Sequence, residues 1–295
     1  MRIAILSNCQ TPLWSNSIKA MMPSATVVLA RHVGVTTLTD DVISAADGSS
    51  DVILVVADWK PRLLEEMSSA SFSADVVAIP PIHFPAFHPD GCYLSVNGII
   101  EPTRWGTHWS PRLAAWAFLE GLDVNEALAL YCDDAFEEVG YHAAWNVSVA
   151  SLRAGFDDSG FDFDQWLWPV KRSGVFMHGF NHPKPIAVAA LAHQLCRVRF
   201  DTTLPPLEEL VGVLPDPLAS GVIWPVHRPI ALRLGVPATN VVKVNDTYVQ
   251  WEDFVHGCYK GWALNGLTSE TATTSAPVSP SSRHTLLTLA GRSTS

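Results

Sequence analysis

The fold follows from a short apolar run near the start of the chain that ends in a polar loop, Arg2-Ile3-Ala4-Ile5-Leu6 followed by Ser7-Asn8-Cys9-Gln10. Residues 15–22, directly after this loop, have helical composition. The first twenty residues therefore predict a strand, a loop and a helix.

Three further apolar, β-branched runs follow at residues 27–30, 52–57 and 75–79, and a helix candidate at 61–69 starts with a proline. Strands that alternate with helices indicate βαβ units. The unbroken Val/Ile/Leu character of residues 52–56 is typical of a central parallel strand that is covered on both faces. We therefore expect an α/β fold, a Rossmann-like and mainly parallel sheet with flanking helices.

The middle of the chain has the pattern of consecutive helices rather than of alternating strands and helices. One helix is predicted to end at Leu119, the next to run from a cap at Asp123 through Phe136, and the third to span residues 141–154. We interpret these as a helical insertion at about residues 108–160. Further helices are predicted to begin at Pro183 and to span residues 249–264.

The last thirty residues are expected to be disordered. Nine of the 15 residues 268–282 are Ser or Thr and two are Pro, a composition that lacks apolar side chains to pack. The predicted organisation is a single α/β domain over residues 1–265, including the insertion, and a mobile tail over 266–295.

Composition limits the function. The 295 residues are 48% hydrophobic and only 16% charged, which excludes disorder throughout, and the net charge of −10 argues against a nucleic-acid partner. The apolar runs are too short to span a membrane, and the N-terminal run is too short for a secretory signal, so we expect a cytoplasmic location. Five cysteines without a C-x-x-C pair predict free thiols rather than disulfides.

The acidity is concentrated in one region. Residues 120–164 hold eleven Asp and Glu and one Arg, whereas the first 39 residues hold three basic residues and no acidic one. The negative charge is therefore expected on a solvated helical face. The beginning of the chain favours an anionic ligand.

The loop after the first strand is the first candidate site, because ligands of open α/β sheets bind outside the carboxyl ends of the strands. A thiol at a helix N-terminus has its thiolate stabilised, which makes Cys9 a candidate nucleophile. The carboxamides of Asn8 and Gln10 are candidate donors to an oxyanion. The alternative is that Cys9 is an ordinary buried cysteine and Asn8 a turn former.

Histidines supply the second set of candidates. Asn181 and His182 precede the predicted helix at Pro183, where an imidazole near the cap is suited to act as a base. His83, His88 and Asp90 lie in a proline-aromatic segment after the strand at 75–79. The alternative for that segment is a rigid connection whose polar groups bind only the local backbone.

Other known site motifs are missing. The chain has neither H-E-x-x-H nor a calcium loop, so no metal is expected. It also has no G-x-G-x-x-G and no P-loop, the fingerprints of nucleotide binding, and no G-x-S-x-G elbow of the ordinary α/β-hydrolases.

The combination of Asn8-Cys9-Gln10 after strand one, residues 84–90 followed by Cys92-Tyr93, and Asn181-His182-Pro183 resembles the WcbI-type polysaccharide biosynthesis family over roughly residues 2–265. That resemblance implies an α/β fold, coenzyme A binding and an acetyltransferase role in capsular polysaccharide assembly. Matched by position, the implied site residues are Asn8, Cys9, Gln10, His88, Asp90, Asn181 and His182.

The leading hypothesis is therefore acyl transfer, most simply of acetyl, from coenzyme A to a sugar hydroxyl. His182 would be the base, and Asn8 and Gln10 would bind the oxyanion. Cys9 would carry the acyl group or line the thioester pocket. The cofactor-binding residues would be Asn181 and the cations near the strand ends, which are Arg31, His32, Lys60 and Arg62.

Two alternatives stay open. One is a thiol- or serine-dependent, esterase-like hydrolase of acylated glycans that uses the same loop. The other is a carbohydrate-binding protein without turnover, in which tryptophans stack on sugars; its platforms would be Trp105, Trp109, Trp166 and Trp168. The oligomeric state is left open.

Overall fold

The computed structural model describes residues 1–32, 46, 48–59, 61, 65, 74–200 and 203–292. Its strands are β1 (Arg2–Ser7), β2 (Thr26–His32), β3 (Val52–Val56), β4 (Asp75–Ile79), β5 (Gly91–Val96), β6 (Ile99–Ile100), β7 (Trp109–Pro111), β8 (Val222–Ile223), β9 (Val241–Val244), β10 (Thr247–Gln250) and β11 (Ala272–Thr274). Its helices are α1 (Thr11–Met21), α2 (Arg112–Leu119), α3 (Val124–Ala129), α4 (Asp133–Glu138), α5 (Ala144–Ser159), α6 (Phe163–Arg172), α7 (Pro185–Arg199), α8 (Leu207–Val213), α9 (Arg228–Leu234), α10 (Trp251–Leu264) and α11 (Arg283–Leu289).

The described chain forms two compact units, each made of two segments. The first unit comprises Met1–Phe84 and Val149–Ala219, and the second comprises Pro85–Ser148 and Ser220–Ser295. The boundary between Ser148 and Val149 falls inside α5 (Ala144–Ser159), so the segment predicted as an insertion, at about 108–160, contributes residues to both units.

The first unit is built on a parallel sheet with strand order β2-β1-β3-β4. Residues 3–6 of β1 are completely buried, as are most residues of β3. Fully burying one such aliphatic side chain contributes about 1.5–3 kcal/mol. The predicted α/β class and mainly parallel sheet are confirmed.

One face of this sheet has a small aliphatic core, in which Leu6 and Val55 pack with Ala46. Helix α1 buries Leu13, Trp14 and Ile18 and packs against α7. Because β1, β3 and β4 are parallel and paired in register, with Leu6 beside Val55 and Val55 beside Ala78, their carboxyl ends lie at one edge of the sheet.

The second unit contains antiparallel pairs and short helices. Strand β5 pairs with β11, β6 and β7, and β9 lies between β10 and β8. Its core is aromatic: Trp224, Trp251 and Phe254 are buried, and their ring centroids lie 5.5–5.7 Å apart.

The helix predicted from Asp123 to Phe136 is wrong in its length. The Asp123 cap is confirmed, since its Oδ1 accepts hydrogen bonds from the amides of residues 125 and 126. The helix, however, ends at Ala129, and α4 starts again at Asp133. Between them, the Tyr131 hydroxyl donates to Asp90 Oδ2 at 2.9 Å, a distant contact that local sequence does not reveal.

The tail that the composition predicts to be mobile makes specific contacts in its described residues, which extend to 292. Strand β11 pairs antiparallel with β5, and the Arg112 guanidinium donates to the carbonyls of Ala276 and Pro277 at 2.7 and 2.9 Å. In α11 the side chain of Leu286 is fully buried. Leu267, Ala272 and Ala290 are buried as well, so main-chain hydrogen bonds and a few apolar side chains compensate for the polar composition.

Candidate active site

The loop after β1 is a tight turn that starts α1. The Asn8 carbonyl accepts hydrogen bonds from the amide of Thr11 at 3.0 Å and from its hydroxyl at 2.7 Å, and Asn8 Oδ1 accepts from the Gln10 amide at 3.0 Å. Cys9 lies at the apex of this turn and is half-buried. Among the described residues, the Asn8 Nδ2 group donates to no protein acceptor, so it is available as an oxyanion donor.

The side chain of Gln10, the other predicted oxyanion donor, binds the segment after β4. Its side chain is 2% exposed, and its Nε2 donates to the Ile82 carbonyl at 2.9 Å, while the Ile82 amide donates back to Oε1 at 3.4 Å. Because both ends of the carboxamide are occupied, Gln10 ties the loop after β1 to the segment after β4. It is a positioning residue.

A third segment joins this edge of the sheet through backbone and ring contacts. The Phe84 amide donates to the Phe180 carbonyl at 2.8 Å, and the His83 and Phe180 rings meet edge to face at 5.9 Å. Within the first unit, the segment after β4 therefore contacts two others. One is the loop after β1, and the other is the segment that carries His182. His83, which is exposed, directly follows Ile82, the residue that Gln10 contacts.

His182 lies in a hairpin and not at a helix cap as predicted. The His178 amide donates to the His182 carbonyl at 2.7 Å, and the Lys184 amide donates to the Phe176 carbonyl at 2.8 Å. Helix α7 begins two residues later than expected, at Pro185. The proline signal was therefore assigned to the wrong proline of the sequence Pro183-Lys184-Pro185.

The hairpin brings together a polar cluster that the sequence analysis missed. His178 Nε2 lies 2.7 Å from Asp216 Oδ2, and the imidazole is 5% exposed. Asp216 also acts on Lys184, since the carboxylate raises the pKa of this half-buried ammonium while the dominant effect, burial, lowers it. The four-residue spacing of His178 and His182 is the only trace of this cluster in the sequence. No sequence pattern indicates that Asp216 belongs to it.

The Cys9 thiol is protonated at neutral pH. Burial raises its pKa to about 11, although a hydrogen bond from its own backbone amide acts in the opposite direction. The sequence predicted a stabilised thiolate at a helix N-terminus. Desolvation of the charged form is the larger effect here.

His182 is a neutral imidazole under the same conditions. Burial, and next the neighbouring His178, lower its pKa to about 4. A neutral imidazole can accept a proton, as the predicted base must, but it is a weak base at this pKa.

The predicted cofactor residues are placed in part. Arg31 and His32 end β2, in register with Leu6 and Ser7, and the Thr11 hydroxyl lies 3.2 Å from the Arg31 carbonyl. The backbone at this end of β2 therefore adjoins the start of α1. Lys60 and Arg62 lie outside the described residues.

His88 and Asp90 belong to the second unit, where they are buried in a hydrogen-bond cluster. Asp90 Oδ1 accepts from the Leu113 amide at 2.9 Å and from the Tyr141 hydroxyl at 2.7 Å, and His88 Nδ1 lies 3.1 Å from the Pro225 carbonyl. Burial raises the Asp90 pKa to about 6, in spite of these hydrogen bonds. The carboxylate thus stabilises the start of α2, and the geometry favours a structural role for it.

Of the four tryptophans proposed as sugar platforms, Trp109 and Trp166 are buried, whereas Trp168 is 70% exposed and Trp105 is half-buried. In the described ranges no group of three or more His, Cys, Asp or Glu side chains is placed to hold a metal ion. None of the described helices combines the length and apolarity that crossing a membrane requires.

Comparison with known proteins gives a family and a fold. The model of the family described as "Polysaccharide biosynthesis enzyme WcbI" matches residues 2–199. A solved structure of WcbI, a novel polysaccharide biosynthesis enzyme, shares 14% sequence identity with a TM-score of 0.62, and the match covers 99% of each chain. That structure is described as the native protein without a disulfide bond between coenzyme A and a cysteine. Among curated proteins, none matches the chain significantly.

Proposed function

The chain belongs to the WcbI family of polysaccharide biosynthesis enzymes, and on that premise we propose that it transfers an acyl group, most simply acetyl, from coenzyme A to a sugar hydroxyl in the cytoplasm. The reaction centre would be the carboxyl edge of the parallel sheet in the first unit. The observation that carries this proposal is the half-buried Cys9 thiol at the apex of the loop between β1 and α1. The similar WcbI structure is that of the native protein without a disulfide bond between coenzyme A and a cysteine, so coenzyme A and a cysteine are named together for that protein.

The edge offers groups suited to a phosphate-bearing thioester. Arg31 is exposed at the end of β2, and Lys184 is half-buried in front of the N-terminus of α7. Helix N-termini and basic side chains are the usual partners of phosphate groups. We assign the phosphates of coenzyme A to these cations and the thiol end of the cofactor to Cys9.

In the simplest reaction the sugar hydroxyl attacks the thioester carbonyl directly. The hydroxyl proton passes to the neutral His182, the new C–O bond forms as the carbonyl becomes an oxyanion, and Asn8 Nδ2 donates a hydrogen bond to that oxygen. Collapse of the tetrahedral intermediate breaks the C–S bond. The proton held by His182 then returns to the coenzyme A thiolate, so charge and protons balance.

The covalent version needs Cys9 as a thiolate. With a pKa of about 11, roughly one Cys9 in ten thousand is ionised at pH 7. A base would have to remove the proton first, and among the described residues Cys9 Sγ has one hydrogen-bond contact, a long one of 4.0 Å to Asn8 Oδ1. We therefore favour direct transfer, with Cys9 lining the pocket.

Coenzyme A binding is the decisive test. A ligand present at about 100 times its Kd stabilises the folded state by about 2.7 kcal/mol, which corresponds to a Tm increase of about 4 °C for a chain of this size. Lys184→Gln should reduce that increase, while Lys19→Gln, which removes a charge from an exposed position in the last turn of α1, should leave it intact. Absence of any shift in the unmodified protein would refute the cofactor assignment.

Cys9→Ala separates the two chemical versions. Under direct transfer this variant still binds coenzyme A and transfers acetyl, and no acetylated protein is detected by intact-mass spectrometry in either form. A mass increase of one acetyl group in the unmodified protein, lost in Cys9→Ala together with activity, would establish the covalent route. Release of acetate without any acceptor would instead indicate the hydrolase.

A further inference from the structure

An open groove lies in the second unit, and none of the residues assigned to acyl transfer lines it. It has a volume of about 980 Å³, at the upper end of the ~300–1,000 Å³ typical of ligand sites. Its walls are the exposed face of α10, the strand β10 and the loop that carries Arg104 and Trp105. The family assignment does not explain this groove.

One wall of the groove is a fixed aromatic ring. The Trp105 Nε1 donates to the Phe254 carbonyl at 3.2 Å, and the two rings stack at 6.2 Å. A Cβ atom on Gly257 would lie 2.4 Å from that Nε1 atom, so only glycine lets the indole lie against α10. Opposite elements add Tyr248, which is 71% exposed. Two aromatic surfaces with one held rigid suit the apolar faces of sugar rings.

The charges of the groove differ from those of its surroundings. The second unit as a whole has 8 Lys and Arg against 13 Asp and Glu, yet the groove is lined by Arg104, His256 and Lys260 against one carboxylate, Asp253. These three basic side chains make no hydrogen bond or ion pair with any residue that the structure describes. Elsewhere in the unit, Arg283 forms an ion pair with a glutamate.

Cations without protein partners beside a fixed aromatic ring are the arrangement expected of a site for an anionic sugar. Arginine offers a planar fork that matches a carboxylate, while lysine offers a point charge. The carboxylate of Asp253 can accept hydrogen bonds from sugar hydroxyls. The open shape of the groove suits a chain of sugar units better than a compact molecule.

We propose that this groove binds an acidic glycan, a sugar chain that bears carboxylate groups, through Arg104 and Lys260 with Trp105 and Tyr248 as stacking surfaces. This binding site goes beyond the acyl transfer proposed above. It does not depend on that reaction, because glycan binding is measured without coenzyme A and without turnover.

The test is titration calorimetry of the full chain with hexagalacturonate, with neutral maltohexaose as the length-matched control. The acidic hexasaccharide is expected to bind with an affinity that falls as salt is added, whereas the neutral one binds at least tenfold more weakly. Equal affinity for the two sugars, or no binding of the acidic one, would overturn the proposal.

Charge-neutral variants locate the site. Arg104→Gln and Lys260→Gln should each weaken hexagalacturonate about five- to tenfold, the loss of one charge-assisted hydrogen bond. Tyr248→Ala should weaken it several-fold. Lys19→Gln, with the same change in net charge, should bind like the unmodified protein. An equal loss in Lys19→Gln would mean nonspecific attraction and would refute the site.

Coenzyme A provides the last discrimination. If the groove is a glycan site, Arg104→Gln and Lys260→Gln retain the full thermal stabilisation by coenzyme A. If that stabilisation disappears in both variants while hexagalacturonate binding is unchanged, the groove binds the cofactor and the proposal is wrong.

Discussion

Alkylation of Cys9 measures directly how the protein holds this thiol. With a pKa of about 11, the thiolate fraction at pH 7 is roughly 10⁻⁴, compared with about 3% for an ordinary cysteine of pKa ~8.5. Because only the thiolate reacts with iodoacetamide, Cys9 should react about 300 times more slowly than a free thiol. Burial of the side chain adds to this protection.

The assay follows modification of the Cys9 peptide by mass spectrometry between pH 6 and pH 10. The logarithm of the rate should rise by about one for each pH unit and show no plateau in this range. The half-buried Cys132, in the same digest, reports general access of the reagent. A plateau of the Cys9 rate below pH 8 would show a stabilised thiolate. It would refute our reasoning that desolvation outweighs the helix N-terminus, and with it our preference for direct transfer.

Three further results are expected. By NMR, the His182 imidazole should titrate near pH 4, and a midpoint between 6 and 7 would contradict its burial. Asp90→Asn should abolish a pH dependence of the free energy of unfolding worth about 3 kcal/mol, because the folded pKa of Asp90, about 6, lies above the unfolded pKa of 3.8. In urea titrations the unmodified protein should gain stability relative to this variant as pH falls from 7 to 4. Parallel stability curves for the two proteins would disprove the assignment. Gly257→Ala should cost about 1–3 kcal/mol by displacing Trp105, while Gly155→Ala, with open space around it, should be neutral or stabilising; equal effects in thermal unfolding would show that the indole is not held there.

The parallel sheet could be predicted because its signal is local. The apolar run of residues 3–6 and the β-branched run of β3 are buried on both faces, which leaves a continuous hydrophobic pattern in the sequence. The strand predicted at residues 75–79 has the same limits in the structure. Such runs are short, and the residues of each run are sufficient to indicate a strand.

The errors concern contacts between residues distant in sequence. At the interruption of the predicted helix, the Tyr131 hydroxyl donates to Asp90, 41 residues earlier. In the polar tail, two carbonyls accept hydrogen bonds from Arg112, about 165 residues away. Neither helix propensity nor composition contains such information, since both depend on neighbours along the chain.

At the candidate site, the sequence shows which segments carry the candidate residues, but it does not show what each side chain contacts. Asn8, Cys9 and Gln10 share one loop, yet only a structure shows that Gln10 is fully engaged with Ile82. In the same way, the sequence gives no indication that His178 has an acidic partner. The structure shows its imidazole within hydrogen-bond distance of Asp216, 38 residues later.

This division of tasks explains how the loop after β1 can present a reactive group without ionising it. Asn8 uses its carbonyl and Oδ1 to start α1, and Gln10 uses its whole carboxamide to fix the segment after β4. Cys9 is left at the apex of a rigid turn, and its thiol is neutral because the surroundings desolvate it. In the proposed direct transfer, this neutral sulfur would enclose the thioester, and Asn8 Nδ2, which donates to no acceptor in the part of the chain that the structure describes, would stabilise the oxyanion. In this arrangement the nucleophile must come from the acceptor, so its hydroxyl, not Cys9, requires the base.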